Sequence, residues 1–187
     1  MRWAKCQIYD TAAAKSRGGF SLLELMIVVA ILSIVATLGT PALQDIVRKN
    51  QLRTLADTTI AMLNLARSEA VSRNTPVSLC HTSNNTSCTG AWNTSWSGAW
   101  LIFTDPDQDG VVDTGETIVR VFEGLPGGYT AQSDITSAGI TYRADGSIKT
   151  SGELRICAAD QNVLEAWEIE ISTVGRPRAD EGTSSCP

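Results

Sequence analysis

Residues 20–43 are almost uniformly apolar, and a single carboxylate, Glu24, interrupts the run. A stretch of that length crosses a bilayer core as a helix, which takes roughly 20 residues. A charge at the centre of such a helix costs about 2.5–3.5 kcal/mol on insertion scales. Glu24 sits near one end, directly after Gly18-Gly19-Phe20, where a plain anchor has no use for it. The carboxylate therefore calls for a partner. Arg2, Lys5, Lys15 and Arg17 precede the run, so the positive-inside rule keeps the leader cytoplasmic and puts everything after the run on the far side.

The stretch Gly18-Gly19-Phe20-Ser21-Leu22-Leu23-Glu24-Leu25-Met26 resembles the class III signal and N-terminal helix of type IV pilins and pseudopilins. The resemblance implies that a prepilin peptidase cuts after Gly19 and methylates the new N-terminal residue, Phe20. It also places the family's assembly glutamate on Glu24, whose carboxylate would pair with the amine of a neighbouring subunit's Phe20 during fibre stacking. Breaking one partner out of a buried pair costs about 3–5 kcal/mol, because the other charge is stranded. With the cut before the apolar segment, the leader differs from an ordinary secretory signal, and the helix is retained.

The implied layout is a removed leader over 1–19, an apolar transmembrane and assembly helix over 20–43, and a periplasmic globular domain over 44–187 that includes an amphipathic half of the helix. The implied partners are prepilin peptidase, the inner membrane, and other major and minor pilins. The implied localisation is the bacterial inner membrane, single-pass, and then the pilus.

Charge narrows the function classes. The full chain has a formal net charge of −5. Removing residues 1–19 takes away four basic side chains and one acidic one, Asp10, leaving −8. Such a chain is a poor non-specific ligand for nucleic acid, so any contact with DNA has to come from a local basic patch. Cys6 leaves with the leader, and Cys80, Cys88, Cys157 and Cys186 remain. An even number in an oxidising compartment reads as disulfides. Four cysteines allow three pairings, of which Cys80–Cys88, closing a short polar loop, and Cys157–Cys186, pinning the tail to a strand, are favoured.

Beyond Pro41, Leu43, Val47, Leu55, Ile60, Met62, Leu63, Ala66 and Ala70 recur at mostly helical spacing among polar residues, an amphipathic pattern that predicts packing against a sheet. Asn74-Thr75-Pro76 ends it. Strand signals follow at 77–80, 99–104, 117–123, 139–142, 154–157 and 167–172, separated by turn residues, with Asp145-Gly146 as a hairpin turn. The predicted class is α+β: a pilin fold with a long N-terminal helix packed on an antiparallel β-sheet domain. Trp92, Trp96 and Trp100 fall in or beside a polar loop and are expected to cover a sheet edge or cap the core.

Asp105, Asp107, Asp109, Gly110 and Glu116 fit the spacing of a calcium loop. Both flanks read as strand rather than helix, so an acidic hairpin turn is preferred to calcium, and no cofactor or metal is expected. His81 is the only histidine. It adjoins Cys80, but neighbours on a strand face opposite sides and cannot act as base and nucleophile. With no phosphate loop or zinc-ligand spacing either, the chain is not read as an enzyme.

Gly175-Arg176-Pro177-Arg178 follows the last predicted strand. With the long helix, Leu65-Ala66-Arg67-Ser68-Glu69-Ala70 and the tryptophan-rich loop, it is similar to the GspH/FimT branch of pilin-like proteins. The resemblance implies double-stranded DNA binding in natural transformation through Gly175, Arg176 and Arg178; because two arginines alone supply little affinity, help from Lys149 is expected. In an extended segment residues two apart project to one side, and guanidinium forks suit phosphate geometry. The function read here is a minor type IV pilin that captures extracellular DNA. The alternatives are a pilus-assembly initiator without DNA affinity and a minor pseudopilin of a type II secretion system.

Overall fold

The first helix is set by its two ends. The computed structural model describes residues 19–90, 95–135, 137–158 and 166–182, and for residues 38–42 the backbone alone. Helix α1 spans Leu22–Arg73. Its first bond runs from the Leu25 N–H to the Ser21 carbonyl at 3.1 Å, and Glu24 lies in the first turn, where the positive end of the helix dipole favours a carboxylate. At the other end Asn74 takes a left-handed conformation, φ 51°, and the Thr75 N–H returns to the Ala70 carbonyl at 3.2 Å. Pro76 then bars further helix.

The chain forms two compact units, Met1–Gln44 and Asp45–Pro187. In the first, the described side chains of α1 are exposed, among them Leu22, Leu25, Ile27, Ile31 and Val35. Among the described residues no helix is long and apolar enough to cross a membrane.

In the second unit α1 buries Leu52, Ala56, Thr59, Met62, Leu63, Ala66 and Ala70, the one-sided spacing of an amphipathic helix. Full burial of a leucine or methionine is worth about 1.5–3 kcal/mol, while the three alanines let the helix lie close to what it covers. Leu43 and Val47, expected on the packed face, are exposed instead. Leu52 and Ala56 take that role one turn later.

Eight strands follow. β1 (Val77–Thr82), β2 (Ala99–Thr104), β3 (Ile118–Phe122) and β5 (Ile140–Tyr142) make one sheet in the order β3-β2-β1-β5. β4 (Tyr129–Ser133), β6 (Gly152–Ala158), β7 (Ala166–Ile171) and β8 (Pro177–Glu181) make the other in the order β4-β6-β7-β8. All pairings are antiparallel. The main core joins the helix to Leu79, Trp100, Ile102, Ile140, Leu154, Ile156, Ile169 and Ile171.

A second cluster of Cys80, Leu101 and Phe103 lies apart from it, with Cys88, Val112 and Ile118 packed against it. β1 is thus buried along its whole length, which explains why β2 reads as the continuous apolar run Ala-Trp-Leu-Ile-Phe. Trp96 exchanges backbone hydrogen bonds with Ala131 of β4 at 3.0 and 2.8 Å, tying the segment before β2 to the second sheet. Its ring stacks on His81 and meets Trp100 edge-on. Trp92 lies outside the described residues.

β4 and β8 are the two strands that sequence patterning did not predict. Tyr-Thr-Ala-Gln-Ser and Pro-Arg-Ala-Asp-Glu carry little β-branched or aromatic signal, and their pairing partners decide their conformation. Cys80 and Cys88 form a disulfide, S–S 2.05 Å. Cys157 is also disulfide-bonded; its expected partner, Cys186, lies outside the described residues.

Candidate functional site

The Gly175-Arg176-Pro177-Arg178 motif turns β7 into β8 rather than following the last strand. The Gly175 N–H donates to the Ser172 carbonyl at 2.8 Å, and the Ser172 N–H to the Arg176 carbonyl at 3.2 Å. Gly175 has φ +75°, and a Cβ there would stand 2.2 Å from the Gly146 carbonyl oxygen and 3.0 Å from the Tyr142 ring. Only glycine fits both the dihedral and the contact. Pro177 opens an edge strand, where its missing N–H costs no ladder bond.

Arg176 and Arg178 are exposed, and among the described residues neither forms an ion pair. Both line an open depression of ≈ 340 Å³ together with Glu170, Ser172 and Pro177. Arg178 stands directly across from Glu170, and Asp180 from Glu168. Asp180 therefore shares a face with Arg178, whereas Glu181 alternates to the other side. Further along that face Arg155 bonds Glu153 at 2.6 Å and approaches Glu168 at 3.7 Å. Glu170, not the sequence-adjacent Asp180 and Glu181, is thus the carboxylate nearest the motif in the ladder. A pattern of alternating residues on the unpredicted β8 would have been needed to find it.

Lys149 is not among the residues of this depression. Its ammonium donates to the Gln108 carbonyl, which commits it to the acidic loop after β2.

That loop is organised around Asp105. Its carboxylate is buried and accepts hydrogen bonds from the Ser78 hydroxyl, the Gly110 N–H at 3.1 Å and the Asp109 N–H at 3.1 Å. Ser78 in turn bonds Thr141 at 2.7 Å. Burial, opposed by the Ser78 bond, raises the Asp105 pKa above the ordinary carboxylate value. Carboxylate oxygens of Asp105, Asp107 and Asp109 lie within 4.8 Å of one another. Glu116, which would close a calcium loop, instead accepts the Asp113 N–H at 2.8 Å. Asp105 and Glu116 are thus engaged by the loop's own N–H groups and by Ser78, which makes a self-capped acidic turn.

At the other end, Gly19 and Phe20 precede α1, Phe20 is 83% exposed, and among the described residues nothing stands within 4 Å of where a Gly19 Cβ would be. Glu24 is exposed on the first turn.

Two families of sequences match the chain. The family model described as Type II transport protein GspH matches residues 55–175. The one described as the prokaryotic N-terminal methylation motif matches residues 14–40. Among solved structures, the chain is similar to the type IV minor pilin FimU of Pseudomonas aeruginosa, with 21% identity and a TM-score of 0.55 over 74% of this chain and 95% of that one. A second crystal form of FimU gives 21% identity and 0.52 over 72% and 97%. The minor pseudopilin EpsH from the type 2 secretion system of Vibrio cholerae gives 13% identity and 0.49 over 70% and 97%. At these identities the likeness is one of fold. No curated protein is similar to the chain at a significant level.

Proposed function

We propose that this chain, which belongs to the GspH family of pilin-like proteins and carries the N-terminal methylation motif, serves as a minor subunit of a type IV pilus that also binds extracellular DNA. The chain is a structural protein of the minor pilin and pseudopilin class, not an enzyme. In the finer reading the leader over 1–19 is removed by prepilin peptidase after Gly19 and Phe20 is methylated. Residues 20–43 hold the chain in the inner membrane until assembly, when they enter the fibre core beside other pilins. Residues 44–187 face the periplasm and then the medium, where the protein takes up DNA for natural transformation.

One observation carries the DNA reading: Arg176 and Arg178 stand exposed on a rigid hairpin, lining one depression, with no ion pair among the described residues. Two guanidiniums supply modest affinity, in the non-specific range of about 10⁻⁴–10⁻⁶ M at physiological salt. A second reading, an assembly subunit or pseudopilin without DNA affinity, is supported by Glu170 across from Arg178 and Asp180 on the same face.

The two readings separate in a gel shift of the mature full-length chain in neutral detergent with a 30-base-pair duplex across a potassium chloride series. Arg176→Ala with Arg178→Ala should weaken binding for every sequence tried and flatten the log–log salt slope by about two. Equal affinity and slope in the double variant would assign the hairpin to structure alone.

A further inference from the structure

We propose that the phosphate-binding surface does not end at the hairpin but continues onto the neighbouring turn after β5, with Arg143 as a further DNA contact and Asp145 as a built-in brake on affinity. The proposal rests on the DNA reading above and extends it to residues distant in sequence.

Three segments meet at this corner. The carbonyl of Gly146 is the atom against which Gly175 is packed, and it accepts a hydrogen bond from Arg67 Nε of α1 at 2.9 Å. The N–H of Ile148 donates to the Thr173 carbonyl at 3.4 Å, and the carbonyl of Ile148 accepts from Arg143 Nη1 at 2.8 Å. Helix, turn and hairpin are thereby joined through the backbone between Gly146 and Ile148. The turn itself is closed by the Gly146 N–H to the Arg143 carbonyl and by the Arg143 N–H to the Ser147 carbonyl, each 2.8 Å.

This geometry brings Arg67, Arg143 and the backbone just before Arg176 to one corner of a chain that is acidic overall. Asp145 is the only carboxylate within the two turns. The nearest acidic residue on the helix segment, Glu69, is paired with Arg73 at 2.6 Å. Arg143 is exposed, and its bond to Ile148 uses one edge of the guanidinium, leaving the remaining N–H groups for a phosphate. Asp145 is fully exposed, and its bond from the Ser147 N–H at 2.8 Å holds the charged form. A carboxylate fixed on the same turn as Arg143 repels a polyanion at the place where that guanidinium attracts it. The outer face of the second sheet, by contrast, mixes Arg155 and Arg178 with four carboxylates. Duplex DNA held at Arg176 and Arg178 is therefore drawn onward to the Arg143 side rather than further across that face.

The test uses the full-length mature chain in detergent, the same 30-base-pair duplex and the same salt series. Arg143→Ala should weaken binding and lower the salt slope by about one, while Arg143→Lys restores the slope. Asp145→Asn keeps the turn-closing acceptor and should tighten binding several-fold without changing the melting temperature. If Arg143→Ala and Asp145→Asn both match the wild-type chain while the Arg176 and Arg178 variant is weakened, the extension is wrong and the hairpin reading stands. If the wild-type chain binds no duplex, both readings fall.

Discussion

Replacing Glu24 by alanine should leave the chain inserted in the membrane and processed, yet lower its recovery in sheared fibres by roughly a hundredfold or more. Insertion has no reason to suffer, because the change removes a charge that costs about 2.5–3.5 kcal/mol at the centre of a membrane helix and less near its end. Assembly loses a partner. In the single chain Glu24 lies without packing on the first turn of α1, where the positive end of the helix dipole favours its charge. On the proposed function, the first turn is enclosed by other subunits in a fibre, and the amine of a neighbouring Phe20 would be stranded if the carboxylate were missing. Stranding a buried charge costs about 3–5 kcal/mol, and each 1.4 kcal/mol is about tenfold in an equilibrium. Immunoblots of membrane and sheared fractions check this, with Glu24→Asp expected to recover part of the loss. Wild-type amounts of Glu24→Ala in fibres would show that the carboxylate has another use.

Asp105→Ala should cost about 3 kcal/mol of stability. It strips the acceptor from the buried Gly110 N–H, the Asp109 N–H and the Ser78 hydroxyl at once, and each buried group left unsatisfied costs about 1–3 kcal/mol. For a domain of this size the melting temperature should fall by roughly 10 °C.

The same site carries a pH signature. Burial raises the folded pKa of Asp105, so the folded state binds more protons than the unfolded one between the ordinary carboxylate value and the raised value. The stability that this protonation contributes is present in full below the unfolded pKa and is lost as pH rises through the folded pKa. Asp105→Asn cannot titrate, so its stability relative to the wild-type chain should improve across that window. Parallel stability curves for the two proteins from pH 3 to 7 would contradict the assignment.

The two ends of the chain differ in how much their sequence reveals. The apolar run, Glu24 and the glycine–phenylalanine junction are contiguous, so they can be read without any knowledge of the fold. β2 is equally legible, because burial on both sides forces apolar residues at successive positions, whereas β1, just as buried, carries Ser78, His81 and Thr82 among its apolar residues. β8 is not: Pro-Arg-Ala-Asp-Glu becomes a strand only because β7 supplies the hydrogen bonds, and only that pairing places Glu170 across from Arg178. The corner of Arg67, Arg143 and Arg176 is illegible for the same reason. Residues from three distant segments meet there through one carbonyl, that of Gly146. The calcium-like spacing of Asp105 to Glu116 shows the converse, since spacing cannot tell whether a carboxylate is open to an ion or already bonded to its own loop.

On the proposed function the chain is a cleaved fibre subunit that keeps its apolar helix. Mass spectrometry of the N-terminal peptide of the chain recovered from sheared fibres decides this. The expected peptide begins at Phe20, carries one methyl group on its amine and contains Glu24. A chain that retains residues 1–19, or one that begins beyond residue 43 as an ordinary secretory signal would leave it, would rule out a cleaved subunit that keeps its helix.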